Sequence, residues 1–110
     1  MRKLGFACGT ASLILLAGAA SAQPQGNATN GRELAAKWCS GCHDIGPDGA
    51  FKQQPPSFAA IAVYRSSERI WATIMAPAMH SGMPELVQIL GLNAADLTAY
   101  IVSLEATAPR

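Results

Sequence analysis

Apolar residues recur along this chain with a helical period rather than the two-residue period of a strand. Gly31, Leu34, Ala35 and Trp38 stand at i, i+3, i+4 and i+7, with Arg32, Glu33 and Lys37 on the opposite side. Asn30, followed three positions later by Glu33, reads as the N-cap of that first helix. Residues 44–56 carry Gly46, Pro47, Asp48, Gly49, Pro55 and Pro56 and are predicted to be loop. Ser57 can cap a brief helix through Phe58, Ile61 and Ala62. Ser66 or Ser67 opens another, with Ile70, Trp71, Ile74 and Met75 on one broad face and Pro77 closing it. Met75 is expected in the core. The stretch 78–92 contains Gly82, Pro84 and Gly91 and should be mostly irregular. Asn93 then caps a final helix, with Asp96 in its first turn and Leu97, Tyr100, Ile101 and Leu104 on its buried face. The pattern is all-α with one long loop before the last helix.

The first residues follow a different logic. Arg2 and Lys3 precede an apolar block around Leu13–Ala17, and Ala20-Ser21-Ala22 has the small residues of a cleavage site. Residues 1–22 are therefore expected to be a cleaved secretory signal, and export implies the periplasm of a Gram-negative-type cell. An uncleaved anchor is the alternative, but Gly5, Gly9, Thr10, Ser12 and Gly18 dilute the apolar run. Residues 23–29 read as a flexible leader, 30–106 as one domain, and 107–110 as a tail. A chain of 110 residues shortened by 22 retains 88, a size at which a core often needs a metal or crosslink. Six positive and seven negative side chains follow residue 22, a net −1, so no basic footprint for nucleic acid is present. No membrane span is expected after cleavage.

Against that background the run Cys39-Ser40-Gly41-Cys42-His43 is the strongest chemical signal. Cys-x-x-Cys-His is the attachment pattern of a c-type haem. Two thiols three positions apart can each add to a vinyl group of one porphyrin, and the adjacent imidazole can bind the iron. Two other chemistries use paired cysteines. A thioredoxin-like redox pair needs a strand–helix–strand context, and no strand pattern is visible near residue 39. A structural zinc site needs four ligands, and once Cys8 leaves with the signal only Cys39, Cys42, His43 and His80 remain as Cys or His donors. No nucleophile–base pair, phosphate loop or paired carboxylate site accompanies the motif.

Across residues 28–106 the chain resembles the small bacterial class I cytochromes c. The resemblance rests on an amphipathic helix leading into Cys39–His43, a Met83-Pro84 near the end, and a closing helix with Leu97 and Tyr100. It implies about four short helices wrapped round one haem, attached covalently through Cys39 and Cys42. His43 would be the proximal axial ligand and Met83 the distal one. Gly31, eight positions before Cys39, corresponds to the glycine at which the first and last helices cross in that family. Ala35 departs from the pattern, since an aromatic residue is usual four positions before the first cysteine. Leu34 or Trp38 can compensate. Pro56 matches the loop proline whose carbonyl holds the axial histidine, and Trp71 is a candidate for a haem propionate.

Met79 and His80 compete with Met83 for the distal position. The function implied is single-electron carriage between redox proteins, not catalysis. Alternatives are a dedicated electron-transfer subunit of a periplasmic dehydrogenase or oxidase, or a ligand-binding haem protein if the sixth site is open.

Overall fold

A computed structural model describes residues 25–107, apart from 50, 52–53, 77–79, 81, 84–89 and 92. The expected signal segment, Met79, Pro84 and the end of the C-terminal tail lie outside the described residues. Helix α1 runs Ala28–Trp38, and its N-cap is Asn27 rather than Asn30. Asn27 adopts an extended backbone and its Oδ1 accepts from the Asn30 N–H at 2.9 Å. Either asparagine suits the role locally. The Asp96 carboxylate on the last helix decides between them: it accepts from the Asn27 N–H at 2.7 Å and from the Asn30 side-chain amide. Residues 28 and 29, expected in the leader, consequently wind into α1.

Helix α2, Phe58–Tyr64, is opened by Ser57, whose Oγ accepts from the Ala60 N–H at 3.2 Å. Helix α3, Ser67–Met75, is opened by Ser66 in the same way, with Oγ accepting from Arg69 N–H at 3.3 Å. Helix α4 spans Ala94–Ser103 and tightens into a 3₁₀ turn over Leu104–Thr107. No β-strand occurs among the described residues, and none of their helices is long and apolar enough to cross a membrane.

The core forms where α4 meets the other helices. Ala35 of α1, Phe58 and Ala62 of α2 and Ile70 of α3 pack with Leu90 and with Leu97, Tyr100, Ile101 and Leu104. Burying a large side chain of this kind contributes roughly 1.5–3 kcal/mol. Leu34 and Trp38 flank the buried Ala35 and pack against the same cluster. Met75 differs from expectation: it is 39% exposed at the end of α3. The helix ends there, so its side chain reaches over the rim of the core toward Gly91.

Helices α1 and α4 approach closely and share the most extensive interface among the described helices. A Cβ on Gly31 would lie 2.0 Å from the Asp96 carbonyl oxygen and 2.9 Å from Tyr100 Cβ. Only hydrogen fits in that gap. The crossing fixes where Tyr100 stands relative to the end of α1, where the cysteine motif begins.

Candidate functional site

The backbone keeps winding after α1 ends. Cys39 and Ser40 both donate their N–H to Ala35 O, at 2.9 and 3.0 Å. Cys42 and His43 then both donate to Cys39 O, at 3.1 and 2.9 Å, and Ser40 Oγ ties back to Ala36 O at 2.6 Å. One further turn of near-helical chain results. Spacings of three and four residues put Cys42 and His43 on the same side of that turn as Cys39.

Neither cysteine is in a disulfide; Cys39 is partly buried and Cys42 exposed. Burial pushes the Cys39 thiol up to about 11. Redox-active and metal-binding cysteines are activated in the opposite direction, toward the thiolate.

His43 is held by its surroundings at three successive residues. Its Nδ1 donates to the Pro56 carbonyl at 2.6 Å. The next residue, Asp44, accepts from the Phe58 N–H through its carbonyl at 2.9 Å. Ile45 accepts from the Tyr100 hydroxyl through its carbonyl at 2.7 Å. The rings follow the same line: His43 and Phe58 have centroids 5.4 Å apart, Phe58 and Tyr100 6.3 Å.

A carbonyl oxygen can only accept, so the imidazole proton is on Nδ1. In the neutral ring Nε2 then carries a free lone pair, the form of histidine that binds a metal. A second partner that fixes tautomer and ring orientation is the usual support for a metal-bound imidazole. The pairing of His43 with Pro56, expected from the resemblance, is therefore present as a hydrogen bond. The clamp by Tyr100 was not expected, since that residue read as a core aromatic in need of some polar partner.

Met83 and His80 share one turn, with the Met83 N–H donating to His80 O at 2.9 Å. Met83 is half-buried. His80 Nδ1 is buried and has no hydrogen-bond partner. Burial first, and the nearby charge of His43 second, hold the His80 imidazole below its ordinary basicity. Trp71 is half-buried on α3, apart from the cluster that Ile70 and Ile74 join. The structure brings Cys39, Cys42, His43 and Pro56 together.

Among the described residues no three of His, Cys, Asp and Glu gather as a ligand set for a metal ion. Iron in a porphyrin brings four nitrogen donors with it and needs only two more from protein. The donor chemistry here suits such a group: two unpaired thiols, an Nε2 lone pair and a buried, unpartnered imidazole nitrogen nearby. A cleft of about 430 Å³ lies elsewhere, between the α2–α3 corner and the end of α4, lined by Tyr64, Arg65, Val102 and Glu105 among others. None of the site residues lines it. Comparison with models of protein families, with curated proteins and with solved structures gives no match for this chain.

Proposed function

We propose that this chain is a monohaem c-type cytochrome of the periplasm that carries single electrons between redox partners. The observation that carries the reading is the His43–Pro56 hydrogen bond, which presents an Nε2 lone pair one residue after two unpaired thiols three positions apart. When bound, haem supplies a one-electron ferric/ferrous couple. The residues do the rest. Cys39 and Cys42 would tether the porphyrin, and His43 would be its proximal ligand. Pro56 sets the orientation and electron richness of that imidazole. Met83 would complete the distal side with a soft thioether, which with histidine raises the potential and leaves no open site for oxygen. Phe58 and Tyr100 keep the ligand loop in one geometry, so that gain or loss of an electron requires little rearrangement.

The helical surroundings of Cys39 and Cys42 among the described residues do not match the strand–helix–strand context of a thioredoxin-like redox pair. A dedicated-subunit reading draws on a different observation: Phe51, Val63, Tyr64 and Val102 are exposed apolar residues available to a partner.

The deciding experiment is expression of the exported protein in a host that attaches haem, followed by mass and optical spectra. The proposal expects a mass increase of one haem and, in the oxidised protein, the weak red band of sulfur-to-iron charge transfer. A folded, colourless product of apoprotein mass would overturn it.

A further inference from the structure

The turn from His80 to Met83 carries two side chains able to bind iron, and their placement differs. Met83 is half-buried, and its backbone N–H donates to the His80 carbonyl at 2.9 Å. His80 is half-buried on the same turn with its Nδ1 shielded from water and without a hydrogen-bond partner. Leaving a buried polar atom unmatched costs roughly 1–3 kcal/mol. Such an atom in a native fold calls for an explanation, and an absent ligand is one. The backbone hydrogen-bond partner of His80 on this turn is Met83, the distal ligand under the reading above. The chain has two histidines in total, so no other imidazole competes for the role.

We propose that His80 is a reserve distal ligand: when the Met83 thioether is lost or oxidised, His80 takes the sixth position and keeps the iron low-spin. This rests on the haem reading above. The exchange breaks one iron–sulfur bond and forms one iron–nitrogen bond, with no electron transferred and no proton released, because a neutral imidazole already carries the lone pair it donates. The consequence is a two-level carrier. Imidazole is the stronger donor to ferric iron, so exchange lowers the reduction potential and leaves the site closed. A peroxide that transfers one oxygen atom to the Met83 sulfur, and is itself reduced to water or an alcohol, converts the thioether to its sulfoxide and removes it as a donor, a change that dedicated reductases reverse. The second state would therefore be entered under oxidative conditions and left again on repair.

The test compares the parent, Met83→Ala, and Met83→Ala with His80→Ala, each exported and haem-loaded. Optical and electron paramagnetic resonance spectra of the ferric forms are recorded, with carbon monoxide binding to the ferrous forms. Met83→Ala is expected to lose the sulfur-to-iron band yet remain low-spin with a bis-imidazole signature and slow carbon monoxide binding. The double variant should be high-spin and bind carbon monoxide at least tenfold faster. High-spin Met83→Ala, indistinguishable from the double variant, would overturn the inference while leaving electron carriage intact. A parent without haem would overturn both.

Peroxide treatment of the folded parent and of His80→Ala is a route that does not depend on how the Met83 variants fold. The parent should stay low-spin after sulfoxidation and His80→Ala should not. Identical spectra from the two would count against His80.

Discussion

Replacing Gly31 by alanine tests the crossing on which the rest of the site depends. An added Cβ would start 2.0 Å from Asp96 O and 2.9 Å from Tyr100 Cβ. Contacts under 3.0 Å are essentially never seen for real Cβ atoms, so α1 must withdraw from α4 by about 1 Å. The first obstacle is backbone, which cannot rotate away as a flexible side chain would. Overpacking of this kind costs roughly 1–3 kcal/mol or more. Alanine returns up to about 1 kcal/mol through its better helix propensity. Withdrawal also stretches the Asp96 hydrogen bonds to Asn27 and Asn30, which straddle the same crossing.

The net expectation is destabilisation by about 1–3 kcal/mol, a fall in Tm of roughly 4–8 °C per kcal/mol in a domain of this size. Thermal unfolding of the protein, followed by far-ultraviolet circular dichroism, measures it. Gly46→Ala is the control, because no atom lies within 4 Å of its added Cβ and its backbone φ is not positive. That control should be near neutral. An unchanged or raised Tm for Gly31→Ala would show that the close approach is not a constraint on the fold.

Three other outcomes are expected. Tyr100→Phe removes the donor to the Ile45 carbonyl and should cost about 1–2 kcal/mol, with faster amide exchange at Phe58; unaltered exchange there would mean that the hydroxyl does not hold the loop. Asp96 is held below its ordinary value of 3.8 by the Asn27 N–H and then the Asn30 amide, so its stabilisation is present above that value and lost as pH falls through the depressed one. Asp96→Asn should therefore be less stable at neutral pH and show a flatter acid limb in a denaturant titration, with Glu68, shifted the same way by its own and its neighbours' helix-start groups, still contributing a slope. With a net charge of −1 after residue 22, electron exchange with a small charged reagent should vary little with ionic strength, and a steep loss of rate on adding salt would refute that expectation.

The helices were legible because each carries an apolar stripe at three- and four-residue spacing, and the first three stand behind a side chain that caps; Asn93, expected to cap α4, makes no side-chain cap hydrogen bond. Ser57 and Ser66 cap where expected, and the face Leu97, Tyr100, Ile101 and Leu104 is buried as its spacing indicates. What escaped the sequence was decided by partners far along the chain. Asn27 and Asn30 are equivalent cap candidates until Asp96, more than sixty residues later, binds both. Met75 falls on the apolar face of α3, but where the core ends depends on how α3 meets α4. The cysteine motif and its histidine were legible as chemistry. The clamp on them was legible only in part: Pro56 through resemblance, Tyr100 not at all, because a hydroxyl that needs an acceptor does not say which carbonyl it will find.

That hydroxyl also imposes an order of events on a newly made chain. Ile45 emerges 55 residues ahead of Tyr100, so its carbonyl waits for the last helix before the loop beside His43 is closed. Until then the turn bearing both thiols has only its own short-range hydrogen bonds to shape it. The C-terminal helix thus acts as a late latch: the motif is presented open while the chain is incomplete, and shuts on whatever it has acquired once the final twenty residues arrive.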